Sequence, residues 1–337
     1  MKKILGIILA TLLVLTGCGS SKEESSDKVK VGVVIYDFND NFMSYVKTAV
    51  ENGFKEKGDV EVTLENGEND QSKVNDKVDN LLAKGVDVLA INLVDPSAGQ
   101  VIVDKAAQKD VPVVFFNKEP DASVLTDNEN VYYVGTTSAE SGELQGDLIA
   151  EEYANGVIKD TNNDGKIGYV MLKGEPGHPD AEARTKFSVE VATEAGVSLN
   201  KIGEEAAFWD TAKAKNACDA LIASNKADID VIISNNDSMA IGCIAAMADA
   251  NVSIPVYGVD GLPDAIDKIE NGELSGTVLN DPKNQGQATV DLSYNLAKGK
   301  DALEGTDWEI DDLNAVRVPY VKITQDNTDI ARDAFGK

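Results

Sequence analysis

From Lys28 onward, apolar residues along the chain switch repeatedly between two periods. Short β-branched runs read as strands, and the segments between them place apolar residues at helical spacing. KVGVVIY predicts a strand, followed by a helix over Asn41–Lys57. VEVTLEN predicts the next strand, and in the QSKVNDKVDNLLAKG that follows, Val74, Val78, Leu81 and Leu82 share one helical face. DVLAINLV and VPVVFF are near-continuous apolar runs, as parallel strands covered on both faces should be. After residue 137 the rhythm resumes, with KIGYVMLKG, DVIISN, IPVYGVD and SGTVLN as strands. This alternation predicts an α/β fold with two doubly wound parallel sheets in series. The roughly 310 residues involved exceed what one core encloses, so two lobes are expected.

The first twenty residues, MKKILGIILATLLVLTGCGS, do not fit that rhythm. Lys2 and Lys3 precede an apolar stretch, Ile4 to Leu15, that is too short to span a bilayer comfortably. The stretch ends in Leu15-Thr16-Gly17-Cys18 and resembles a bacterial lipoprotein signal, in which Cys18 becomes the lipidated residue after cleavage. Residues 1–17 are therefore expected to be a signal peptide. Residues 18–27, polar and without apolar content to bury, are expected to be a lipidated cysteine and flexible tether. Loss of Lys2 and Lys3 takes the formal net charge from -27 to -29. Such an acidic chain repels phosphate backbones, which argues against nucleic acid as a partner. The remaining cysteines, Cys218 and Cys243, lie in Ala-rich helical stretches and read better as buried thiols than as a bridge. Their spacing fits no zinc or iron–sulfur site.

In open α/β sheets, ligands bind beyond the carboxyl ends of the strands. Polar residues gather at those ends here: Asp40 past VVIY, Asn92 closing LAIN, His178 and Asp180 after YVMLKG, Asn236, Asp260 and Asn280. His178 is the only histidine of the chain and stands between Pro176 and Pro179, which fix φ and stiffen its loop. Arg184 lies four residues after Asp180, one helical turn on, where a local ion pair is the simplest role. Together these residues supply acceptors, donors and groups that do both, which is what a polyol requires. Phe42 and Trp209 add aromatic planes at loop tips, suited to the C–H faces of a sugar ring. Trp308 has no such polar company and reads as structural. A second pattern is metal-like. Asp160, Asn162 and Asp164 stand at positions 1, 3 and 5 of a calcium loop, with Gly165 at 6 and the Lys166 carbonyl at 7. Position 9 is Gly168 and position 12 is Met171, so a remote carboxylate would have to close the site; an Asx-turn hairpin is the alternative.

The segments YDFNDNFMSYV, NDQSKVNDKVDNLLAKGVDVLAINLVDP, VPVVFFNKEP, LKGEPGHPDAEART, WDTAKAK, SNNDSMAIG, GTVLND and VRVPYV resemble the periplasmic D-galactose/D-glucose-binding proteins. These are sugar receptors of ABC transporters and, in some bacteria, of chemotaxis. The resemblance runs from about Lys28 to about Tyr320. It implies a type I periplasmic-binding-protein fold, with a first lobe of residues 28–136 plus 283–317 and a second of 137–282 plus 318–337. Three crossings would join them near Gly135–Ser138, Asn280–Asn284 and Val316–Val321. It also implies that Asp40 accepts from the 4-hydroxyl of either epimer. Asn92, His178, Asp180, Arg184, Asn236, Asp260 and Asn280 would bond the other oxygens, and Phe42 and Trp209 would sandwich the ring. The implied calcium ligands are Asp160, Asn162, Asp164, the Lys166 carbonyl and Asp230. Gly168 and Asp230 depart from the family's glutamine and glutamate, weakening that site. The implied partners are D-galactose or D-glucose, an ABC permease and a chemoreceptor. The chain would be exported and attached to the outer face of the cytoplasmic membrane only through its lipid.

Three other readings compete. A pentose receptor would share the fold. A sugar-responsive repressor would need a basic DNA-binding headpiece, and the chain begins instead with the lipoprotein-like signal and acidic tether. A glycosidase could pair Asp40 with Asp260, but needs one carboxylic acid with a raised pKa. The neighbouring Arg184, His178 and amides are expected to keep both carboxylates ionised.

Overall fold

The computed structural model describes residues 28–337; the signal segment, Cys18 and the tether lie outside the described residues. The first lobe begins with β1 (Val29–Ile35), α1 (Asn41–Lys57), β2 (Val60–Asn66) and α2 (Gln71–Ala83). It continues through β3 (Val88–Ile91), α3 (Gly99–Ala107), β4 (Val113–Phe116), α4 (Ala122–Thr126) and β5 (Val131–Gly135). The chain then enters the second lobe with α5 (Ser138–Ala154), β6 (Ile167–Lys173), α6 (Pro179–Glu194), β7 (Leu199–Ala206) and α7 (Thr211–Asn225). There follow β8 (Val231–Ser234), α8 (Asp237–Ala250), β9 (Val256–Tyr257), α9 (Pro263–Glu270) and β10 (Thr277–Leu279). The last elements are α10 (Pro282–Ala297), β11 (Ala315–Arg317), β12 (Val321–Ile323) and α11 (Thr328–Ala334).

The first sheet is parallel throughout, in the order β11-β5-β4-β3-β1-β2. The second has the parallel order β7-β6-β8-β9, and the bridges Tyr257–Gly276 and Asp260–Leu279 set β10 beside it. β12 closes that edge antiparallel to β10. Three connections pass between the sheets: β5 to α5, β10 to α10, and β11 to β12. Helices cover both faces, so the central strands are apolar on both sides. Val34, Leu89, Ile91 and Phe115 pack one way against Val74, Leu81 and Ile102 of the helices. Val33 and Ile35 face the opposite way, toward Val46, Val50 and Phe54 of α1. In the second lobe Met171 and Ile233 pack with Leu148 and Ile149 of α5. Among the described residues, no helix is long and apolar enough to cross a membrane.

One expectation is corrected here. Cys218 on α7 and Cys243 on α8 form a disulfide, with Cα atoms 5.3 Å apart. The two helices pack along their lengths, and both cysteines face the seam, fully buried. They are buried, as expected, but not as thiols.

Candidate binding site between the lobes

The carboxyl ends of both sheets face each other across a cleft, and helix N-termini open onto it. Asp40 caps α1: its Oδ1 accepts from the Met43 N–H at 2.7 Å and its Oδ2 from the Tyr36 hydroxyl at 2.6 Å. Burial raises its pKa against those bonds, and Asp37 adds to the rise. Asn236 caps α8 through its Oδ1, which accepts from the Met239 N–H at 3.0 Å. His178 caps α6 through Nδ1, which accepts from the Asp180 N–H at 3.1 Å. That bond requires an unprotonated Nδ1 and leaves Nε2–H as the donor. Desolvation pushes the imidazole down to about 3, so it is neutral at physiological pH. The prolines of its loop thus serve a cap as well as a wall.

Arg184 is buried and anchored on several sides. Its guanidinium donates to Ser141 Oγ at 3.1 Å, the Asn235 carbonyl at 2.9 Å and the Tyr320 hydroxyl at 3.1 Å. It also lies 3.4 Å from Asp180 and 3.8 Å from Asp260. Burial would raise the Asp180 carboxyl, but Arg184, His178, a 2.6 Å bond from Ser138 and Lys118 together hold it below the ordinary range. Asp260 is different. It is 3% exposed, the side-chain donors facing it among the described residues stand off at 3.4 Å (Asn280 Nδ2) and 3.8 Å (Arg184), and burial drives its pKa well up. Asp237 and Asp40 add to that rise. The expectation that Arg184, His178 and the amides favour the ionised form of both carboxylates is therefore corrected: at Asp40 and Asp260 burial outweighs these donors and the shift runs upward instead.

Trp209 and its neighbour Phe208 both have left-handed backbones, φ 65° and 53°, in the turn between β7 and α7. The Trp209 ring lies against the Gly174 backbone, where any Cβ would overlap it, and meets His178 edge-on at 5.3 Å. Asp40, Phe42, Trp209, His178, Asp180, Arg184, Asn236, Asp260 and Asn280 line one cavity, together with Tyr36, Met43 and Asn117. It encloses about 380 Å³ of atom-free space, part of it open to solvent, within the range of small-ligand clefts.

Asn92 does not line this cavity. It is fully buried behind it, accepting from the Tyr36 N–H at 3.1 Å and donating to the Phe116 carbonyl and to Asn117 Oδ1, each at 3.2 Å. The residue at the wall is Asn117, which follows β4 with a left-handed φ of 61°. Its signal was the asparagine of NKEP directly after the apolar VPVVFF. Trp308 lies outside the cavity and donates through Nε1 to Asp291 at 3.1 Å.

The calcium-like loop is elsewhere, before β6, and we propose that its donor set is committed to hydrogen bonds within the loop rather than to the ion. Asp160 accepts from the Asp164 and Gly165 N–H groups, and Asp164 from the Lys166 N–H. Asp230 spends Oδ1 on the Thr161 N–H and hydroxyl, at 2.9 and 2.6 Å, and Oδ2 on the Gly168 N–H at 2.9 Å. One methylene shorter than glutamate, it ties the loop directly to β8. At Gly168 a Cβ would fall 1.8 Å from the Asp228 carbonyl, so no side-chain ligand can stand there. Among the described residues, no group of three His, Cys, Asp or Glu converges as a metal site. Thermal unfolding with excess calcium and with chelator is expected to give the same midpoint; a rise of several degrees with calcium would contradict this reading.

A two-lobed molecule with a polar, aromatic-walled cleft between its sheets has the architecture of a solute-binding protein, and its relatives are binding proteins rather than enzymes. The chain belongs to the periplasmic binding protein family: the family's domain model matches residues 31–301. The D-galactose/methyl-galactoside binding periplasmic protein MglB of Haemophilus influenzae is 47% identical over 95% of this chain and 97% of its own length. A putative rhizopine-binding protein of Rhizobium meliloti is 29% identical, over 89% of this chain and 92% of its own. Among solved structures, a solute-binding protein of Bacillus halodurans with bound myo-inositol matches with a TM-score of 0.78 and 24% identity. That match covers 92% of this chain and 99% of the other, and carries the fold alone.

Proposed function

We propose that this chain captures D-galactose or D-glucose outside the cytoplasm and delivers it to an ABC permease. The observation that carries the reading is the cavity wall. It combines a buried acceptor with only distant donors (Asp260), a second carboxylate held by Met43 and Tyr36 (Asp40), a fixed guanidinium, a neutral histidine donor, amides and two aromatic planes, the set a pyranose with all its hydroxyls satisfies. The 47% identity to a galactoside-binding relative over almost the whole chain supports a hexose. Closure of the lobes is favoured by whatever extra affinity the sugar has for the closed form. In this reading Cys18 carries the lipid that keeps the receptor on the outer face of the cytoplasmic membrane, and a chemoreceptor is a second reader of the closed form. Calorimetric titration of the chain beginning at Gly19 tests the ligand. One-to-one binding of D-galactose and D-glucose, without D-ribose or D-xylose, is the expected result. Binding of a pentose alone would overturn the hexose assignment.

A further inference from the structure

We propose that Lys118 and Glu175 form a matched latch across the cleft, a positioning pair in which Glu175 of one lobe permits burial of the Lys118 ammonium of the other in the closed form, without touching the solute. Lys118 follows β4 in the first lobe and is 2% exposed. Among the described residues, the hydrogen-bond acceptor its ammonium has in its own lobe is the Val94 carbonyl, at 2.6 Å. Its carboxylate partner, Glu175 at 3.4 Å, belongs to the loop after β6 in the second lobe. Neither side chain lines the inner cavity. Opening the cleft separates the pair and wets the ammonium; closing it buries a charge that only the opposite lobe neutralises closely.

The surroundings fit that role. The Lys118 ammonium stands 5.2 Å from the centre of the Tyr36 ring, and the Tyr36 hydroxyl donates to Asp40 in the cavity wall. The latch therefore sits beside the residue that orients Asp40. Desolvation lowers the lysine's pKa, opposed chiefly by Glu175 and then by Asp180 and Asp95. The pair is also asymmetric: its side chains are 3% and 30% exposed. Removing the carboxylate orphans a buried cation, which is costly, whereas removing the cation leaves a glutamate still in water. Elsewhere across the cleft, Asn41 donates to Ser238 at 3.3 Å, a neutral contact with no such asymmetry.

This inference uses the hexose reading only for its probe. D-galactose is titrated into the wild type, Glu175→Gln, Lys118→Met and the double variant, with melting curves to verify folding. Glu175→Gln is expected to weaken binding about tenfold, a 1.4 kcal/mol effect. Lys118→Met alone should change it less. The double variant should recover to within about threefold of wild type, because the orphaned charge has gone. A Glu175→Gln affinity within twofold of wild type, or a double variant no better than Glu175→Gln, overturns the latch. If the wild type takes no hexose, the hexose reading fails separately, and small-angle scattering of the unliganded chain decides. A larger radius of gyration in Glu175→Gln, reversed in the double variant, supports the latch; identical radii overturn it.

Discussion

Asp260→Asn is expected to weaken hexose binding about a hundredfold and to leave the melting temperature unchanged or higher. Asp260 is a buried carboxylate whose near donors stand at 3.4 and 3.8 Å, so its lone pairs await the donors a sugar brings. Hydrogen bonds to a charged group contribute about 1.5–3 kcal/mol each, and losing one such contact with partial compensation by the amide gives roughly that factor. The stability sign is opposite. A carboxyl whose folded pKa is raised above its unfolded value lowers stability at neutral pH, and the amide removes that cost. The substitution also keeps a residue type that tolerates the left-handed side of the backbone map, where Asp260 sits at φ 125°. A pH arm makes the test sharper. Sugar hydroxyls donating to the carboxylate favour its charged form, so binding lowers the pKa and releases a proton. Affinity is then full above the raised pKa and falls as pH drops through it, and Asp260→Asn should flatten that part of the profile. Titration in buffers of different ionisation enthalpy reads the proton directly. An asparagine variant that binds within threefold of wild type, with the same pH profile, would show that Asp260 is not an anchor of the ligand.

The strands and most of the cavity wall were legible because both depend on local order. Short, β-branched and aromatic apolar runs such as VPVVFF read as strands buried on two faces, and the polar residue that ends each run then lies at the cleft side of the sheet. Depth was not legible. Asn92 and Asn117 end adjacent strands, β3 and β4, and only tertiary packing decides which stands at the wall and which braces it from behind. The direction in which the Asp260 pKa is shifted was misjudged for the same reason. Sequence brings Arg184 to mind as a partner, but the raised pKa comes from burial and from Asp237 and Asp40, which the fold assembles. The calcium loop shows the converse. Positions 1 to 7 obey the pattern, yet only the fold shows that Asp230 binds the Gly168 N–H and that a backbone approach leaves no room for a side chain at Gly168.

The bridge between Cys218 and Cys243 gives the second large effect, this time on stability alone. It joins α7 to α8, whose packing is among the tightest helix pairings of the second lobe, and closes a loop of 25 residues. Loop-closure entropy assigns about 3.5 kcal/mol to a loop of that length. Because the bridge forms only in an oxidising compartment, this contribution appears only after export, in keeping with the family. The Cys218→Ala, Cys243→Ala double variant is therefore expected to melt several degrees lower, with the second lobe unfolding first. Hexose affinity should be unchanged, since neither cysteine lines the cavity. Alanine is the apt replacement because both positions are fully buried in Ala-rich helices, so the loss reads the crosslink with only a small cavity beside it. Reductant should do little to the folded wild type, whose sulfurs are shielded, and should reproduce the variant's lower midpoint only after unfolding and refolding under reduction. A double variant with the wild-type melting curve would mean that packing of α7 on α8 already supplies the constraint and that the bridge adds nothing to the folded state.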